Sequence, residues 1–237
     1  KIDAESIYLV GDIFDFWFEY KHTIPKGFVR LQGKIAELTD AGIPIHFFTG
    51  NHDMWMFGYH EKELGVTLHR DPIVINAQGK KIFIGHGDGL GPGDKGYKFI
   101  KKVFANRFFQ WCFARLHPNF GIGIANFSSR KSRAATGNDD AIFLGEENEL
   151  LVHYVKEMLE NEHFDYFIFG HRHLPLNIKV GEKSIYTNST FNFLCHLYVF
   201  KKFILISPYE TNSIILLYII YCQFDLQSRG WTEDPKK

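Results

Sequence analysis

The sequence predicts an α/β domain. Four short apolar runs each end in a glycine followed by Asp, Asn or His, as buried strands do when they deliver a polar side chain at the tip. A segment of helical spacing separates the first two runs, giving a strand–helix–strand unit and hence a parallel pair. A second helical segment leads into the fourth run. In open α/β sheets the functional site lies beyond the carboxyl ends of the strands, where all four tips fall.

The first run, Ile7-Tyr8-Leu9-Val10, reads as a strand and leads into Gly11-Asp12-Ile13-Phe14-Asp15-Phe16-Trp17. Residues 28–41 read as a helix, because Phe28, Leu31, Ile35 and Leu38 recur at helical spacing and Gly42 stops it. The second strand, residues 43–49, ends in Gly50-Asn51-His52-Asp53; His46 inside it reads as a packed or hydrogen-bonded histidine. Residues 66–75 alternate and read as one strand with His69 on its polar side. Gln78-Gly79-Lys80 is a hairpin turn into the third strand, which ends in Gly85-His86-Gly87-Asp88.

Residues 87–96 hold five glycines and read as a flexible loop beside the site. Residues 97–113 read as one helix in which lysines and Arg107 interleave with Phe99, Phe104, Phe108, Phe109 and Trp111, and Pro118 is expected to end it. A second segment, 122–133, closes this insertion with Arg130, Lys131 and Arg133. Residues 138–144 read as a polar linker, and 146–161 as a helix with an acidic start that suits the macrodipole. The fourth strand, 166–169, ends in Gly170-His171-Arg172-His173, and a hairpin at 179–183 follows. The tail carries two apolar blocks, 193–206 and 214–221. They read as core or edge strands, the second being too short to span a bilayer.

Taken singly, a Gly-Asp after a strand is a turn and a Gly-His-Gly-Asp a loop. Four such tips make a metal site of Asp12, Asn51, His86, His171 and His173. Imidazole, carboxylate and amide oxygen suit a borderline to hard divalent ion, such as manganese, iron or zinc. Asp12 has two oxygens and suits bridging two ions, and a bridged pair clamps a phosphoryl group. His52 suits an imidazole aimed at a phosphoryl oxygen, with Asp53 as the carboxylate that orients it.

The ordered set Gly-Asp-x-x-Asp, Gly-Asn-His-Asp, Gly-His-Gly-Asp and Gly-His-Arg-His resembles the calcineurin-like metallophosphoesterases, over about residues 1–187. With Gly-Asp-Ile-Phe-Asp-Phe-Trp and the long insertion, the chain looks most like the UDP-2,3-diacylglucosamine pyrophosphohydrolases of lipid A synthesis. The resemblance implies a four-layer α/β/β/α sandwich over residues 1–188, with residues 95–135 as a helical lid and 189–237 as a divergent tail. It implies two Mn²⁺ ions: Asp12 bridging, Asn51, His86 and His171 on one, His173 on the other, and His52 stabilising the transition state. By the same resemblance Asp94 and Tyr97 meet the substrate head group, and Arg130, Lys131 and Arg133 its phosphates. The implied reaction releases UMP and a diacylated glucosamine 1-phosphate from a lipid-linked nucleotide, in the cytoplasm on the inner membrane surface. The family opens with an Asp-x-His strand that serves the second ion. No Asp-x-His occurs here, so that ion's site is expected to be incomplete and the first strand missing. The text from Ser189 departs from the family and reads as a frame change or foreign segment.

Zero formal net charge removes the usual electrostatic case for a nucleic-acid partner. Cys112, Cys195 and Cys222 are isolated and fit a reducing cytosol. No leader peptide is read at Lys1, and no internal repeat is present. Two rival functions remain open at this point: another phosphodiesterase or nucleotide phosphatase of the same fold, and an inactive fragment that binds metal or lipid. The insertion, too, has two readings: a hairpin packed on the domain with solvated lysines, or an acyl-chain groove with an interfacial face.

Overall fold

The computed structural model describes residues 4–136, 143, 145–172, 176–188, 197–200 and 217–219, with backbone only for 130–136, 197–200 and 217–219. Strand β1 (Ser6–Val10) is followed by helix α1 (Val29–Asp40), strand β2 (Ile45–Phe48), helix α2 (Tyr59–Leu64) and strand β3 (Thr67–His69). These three strands run parallel, with Ile7 opposite Ile45 and Phe47 opposite Leu68. Strands β4 (Ile73–Ala77) and β5 (Lys80–Ile84) form a hairpin, closed by Gln78 and Gly79, both at positive φ. After the helical insertion and α6 (Leu150–Asn161), strand β6 (Tyr166–Phe169) pairs parallel with β5. The hairpin of β7 (Leu176–Val180) and β8 (Ser184–Asn188) completes this second sheet, in the order β4-β5-β6-β8-β7.

Side chains alternate across a strand, and that alternation builds the layers. Ile7, Leu9, Ile45 and Phe47 face α1 and α2, packing on Ile35, Leu38 and Leu64. Tyr8, Val10 and Phe48 face the other way and meet Ile82, Ile84 and Ile168 of the second sheet. The far face of that sheet, Phe83, Phe167 and Phe169, packs on Leu151, Val152 and Val155 of α6. Helix, sheet, sheet, helix is the four-layer α/β/β/α arrangement. It leaves the carboxyl ends of β1, β2, β5 and β6 together at one end of the sandwich.

Several elements differ from expectation. Residues 66–75 are two strands, not one: β3 joins the first sheet and β4 the second, because the chain turns at Arg70-Asp71-Pro72. His69 accordingly lies half-buried, its Nε2 2.9 Å from His46 Nδ1 and its ring stacked on Phe48. The aromatic helix is broken: α3 (Lys95–Ala105) and α4 (Arg107–Phe113) are separated at Asn106, whose side chain accepts from the Phe108 amide and starts the new helix. Pro118 does not end this helix but opens the next, α5 (Pro118–Thr136); a proline's missing N–H and fixed φ suit a first helical turn. The acidic start of the 146–161 segment is a separate 3₁₀ turn (Glu146–Asn148), and α6 carries no acid in its own first turn.

In the tail, β9 (Leu197–Phe200) pairs antiparallel with β1 and β10 (Leu217–Ile219) with β9, extending the first sheet to β10-β9-β1-β2-β3. Both strands fall within the two apolar blocks. Most of the 138–144 linker lies outside the described residues. Among the described residues no helix is long and apolar enough to cross a membrane.

Candidate metal centre

The first tip is held by its aromatic residues. Phe14 and Trp17 are fully buried between the first sheet and its helices, which leaves Asp12 at the carboxyl end of β1. The second tip is zipped to the first: the Trp17 amide donates to the His52 carbonyl (3.1 Å) and the Glu19 amide to the Trp55 carbonyl (3.2 Å). The Asp12 carboxylate accepts from the His52 amide at 2.8 Å. Gly50 must be glycine, because a Cβ there would fall inside the Asp12 carboxylate. The third and fourth tips join in the same way, with the amides of Gly170 and His171 both donating to the His86 carbonyl.

These ties bring four predicted ligands to one point. Asp12, His86 and His171 each offer an atom within 4.8 Å of the others. Asn51 Oδ1 lies 3.3 Å from His86 Nε2 and 3.1 Å from His171 Nδ1. His86 Nδ1 lies 2.9 Å from the Val10 carbonyl, which can only accept, so Nδ1 carries a proton. In the neutral ring Nε2 is then a bare lone pair, and it faces Asp12 Oδ2 at 3.2 Å as well as the Asn51 oxygen. Several acceptors aimed at one spot require a positive charge among them. A divalent cation fits that requirement, and the Val10 carbonyl orients His86 as the partners of ligating histidines do. His173 lies outside the described residues.

The electrostatics agree. Burial pushes the Asp12 carboxyl up, but the charges and hydrogen bonds of His86 and His52 outweigh it and hold the group well below the usual carboxylate range. Burial pushes His86 down, and Asp12 more than reverses this, lifting it to about 9. Burial and the charge of Asp12 push Asp53 up to about 7, against the amides of Gly50 and Ile13. Both raised groups bind a proton on folding, so the metal-free protein loses stability as pH rises: through Asp53 between about 4 and 7, through His86 between about 6.5 and 9. A cation requires deprotonated His86, so its affinity rises over the second window. Thermal melts with and without Mn²⁺ should therefore diverge as pH increases from about 6 to about 9; a constant or narrowing gap would contradict this site.

Asp53 corrects an expectation. Its carboxylate does not orient His52. It is fully buried and accepts from the backbone amides of Gly50 (2.6 Å), Ile13 (2.8 Å), Asp12 (3.3 Å) and Phe14 (3.4 Å), clamping the first two tips together. His52 is oriented instead through Nδ1, 3.0 Å from the Asp15 carbonyl and 3.2 Å from Ser129 Oγ. Asp94 is exposed, and its side chain caps α3 by accepting from the Tyr97 amide at 3.1 Å. Tyr97 sits at the site, its ring 6.0 Å from that of His171 and its hydroxyl donating to Asp88 at 2.7 Å. Arg130, Lys131 and Arg133 fall on the last turns of α5; their side chains lie outside the described residues.

Three partners were not singled out from the sequence. Asp88 is buried and paired with Lys101 Nζ at 2.6 Å, behind Tyr97. Arg172, between the two tip histidines, forms a two-pronged pair with buried Glu149 at 3.1 and 2.9 Å. Asp88 stands in its own motif and was legible there. The Glu149–Arg172 pair joins residues 23 apart and leaves no local signal.

The insertion docks directly on these tips. Phe113 packs on Phe16, Phe18 and Trp55, and Trp55 Nε1 donates to the Phe104 carbonyl at 2.8 Å. The outer face stays apolar, with Phe99 68%, Phe108 64%, Phe127 65% and Trp111 54% exposed. Residues 95–136 contain nine Lys and Arg and no Asp or Glu.

The sequence profile of the calcineurin-like phosphoesterases matches residues 2–175. The UDP-2,3-diacylglucosamine hydrolase of Porphyromonas gingivalis is 37% identical over 193 residues, 76% of this chain and 74% of that protein. Proteins of the same name from Vibrio vulnificus and Aeromonas hydrophila are 34% and 28% identical, over 48% and 73% of this chain and 47% and 69% of their own lengths.

Proposed function

Since the chain belongs to the calcineurin-like phosphoesterase family and is a hydrolase of that type, we propose that it hydrolyses the pyrophosphate of UDP-2,3-diacylglucosamine, releasing UMP and 2,3-diacylglucosamine 1-phosphate. Asp12, Asn51, His86 and His171 would hold a Mn²⁺ ion, and His173 would serve a second. A divalent ion there supplies Lewis-acid polarisation of a phosphoryl oxygen and a more acidic water.

The chain's own groups do the rest. With Nδ1 held by the Asp15 carbonyl, His52 has Nε2 free to meet a phosphoryl oxygen where negative charge develops. Asp53 positions Asp12 and the loop before His52 by gathering their amides. Tyr97 keeps its proton, because burial and the Asp88 carboxylate raise its pKa, and it donates at the edge of the site. Arg130, Lys131 and Arg133 on α5 meet the substrate phosphates, for which guanidinium forks are suited.

The observation that favours a lipid-linked substrate over a soluble diester is the insertion. An acid-free, basic insertion of three helices with exposed aromatic side chains abuts the ligand cluster. That combination suits acyl chains and an anionic membrane surface. On this reading residues 1–188 form the catalytic domain and 95–135 its lid, and the lipid-linked substrate would bring the enzyme to the inner membrane face. Replacing Phe99, Phe108 and Trp111 together by serine should raise KM for the lipid substrate in anionic vesicles by about tenfold or more. Turnover of bis(4-nitrophenyl) phosphate should stay unchanged. Equal loss with both substrates would defeat the lid reading.

A further inference from the structure

We propose that Ser129 is a positioning residue that couples helix α5 to the His52 imidazole, an inference that rests on His52 acting at the phosphoryl group. The backbone of His52 is held by the domain: its amide donates to Asp12 and its carbonyl accepts from Trp17. Those bonds leave the ring free to turn about its side-chain torsions. The ring is fixed at Nδ1 by two oxygens from different elements, the Asp15 carbonyl at 3.0 Å and Ser129 Oγ at 3.2 Å. A carbonyl cannot donate, so Nδ1 bears the proton and Ser129 is its second acceptor. One acceptor belongs to the first tip and the other to the insertion. The ring is therefore anchored once by the domain and a second time by α5.

The seat of α5 is itself specific. Gly121 is buried against the Tyr20 hydroxyl and the Phe113 ring, and a side chain there would push the helix away. Ser129 lies eight residues further along the same helix. The packing of Gly121 that seats α5 thus also sets where Ser129 meets the His52 ring.

The test combines kinetics and spectroscopy on Ser129→Ala, Ser129→Thr, His52→Ala and the double variant. Ser129→Ala should lower kcat about fivefold, the size expected for one neutral hydrogen bond, with KM nearly unchanged. The loss should be the same on the lipid substrate and on bis(4-nitrophenyl) phosphate, because it acts through His52. Ser129→Thr should restore activity, and Ser129→Ala should cost nothing further in a His52→Ala background. In long-range ¹H–¹⁵N spectra the His52 Nδ1 resonance should move in Ser129→Ala but not in Ser128→Ala. A loss confined to KM for the lipid, an equal loss without His52, or an unmoved Nδ1 resonance would overturn the proposal. If His52→Ala itself leaves turnover intact, the role given to His52 fails, and the spectra still decide whether Ser129 holds the ring.

Discussion

Asp12→Ala is expected to abolish turnover, by about a thousandfold or more, because it removes several kcal/mol of charge stabilisation at 1.36 kcal/mol per tenfold. Asp12 is the carboxylate of the cluster, and its two oxygens have separate duties. One faces His86 Nε2 at 3.2 Å; the other accepts the His52 amide at 2.8 Å. Losing the first removes the negative charge that offsets a divalent ion. Losing the second frees the loop that carries His52. Asp12→Asn keeps the amide bond but not the charge, so it should bind Mn²⁺ far more weakly while melting close to the parent. Titration calorimetry and thermal melts separate the two effects; an alanine variant that keeps both Mn²⁺ affinity and activity would contradict the assignment.

Asp53→Ala should produce the largest loss of stability, about 3–5 kcal/mol, because it leaves several buried amides without an acceptor at roughly 1–3 kcal/mol for each one not rescued by water. At this chain length that corresponds to a fall of roughly 10 °C in Tm. The carboxylate gathers amides from both tips, so the damage is expected where Asp12 and His52 sit, and metal binding should weaken with it. Asp53→Asn retains one acceptor oxygen and similar size and should lose less. A fall below about 1 kcal/mol for the alanine variant would mean that water replaces the carboxylate in the clamp.

Much of the site was legible because its parts are local. A buried strand, a glycine and a ligand form one short word, and its fourfold repetition let Asp12, Asn51, His86 and His171 be read together without knowing the fold. The convergence followed from parallel strands presenting their carboxyl ends together, and the helix between β1 and β2 announced that parallel pair. Where the reading failed, a local pattern had two tertiary outcomes. The alternation of residues 66–75 is the same in one strand or two, and only the turn at Pro72 moves the chain to the other sheet. The aromatic spacing of residues 97–113 continues across Asn106, although a capping side chain restarts the helix there. Pro118 stops a helix or starts one according to what precedes it. Asp53 sits beside His52 in sequence, yet points away from it into the loop amides, and adjacency carries no information about direction.

On the proposed reading, these four tips form the centre of a metal-dependent hydrolase of a lipid-linked nucleotide. Release of UMP from UDP-2,3-diacylglucosamine by this chain tests it most directly, with and without Mn²⁺ and with His86→Ala in parallel. Release is expected to require the ion and to be lost in His86→Ala. Release that persists without a divalent ion, or none at all from protein that binds Mn²⁺ stoichiometrically and melts cooperatively, would contradict it.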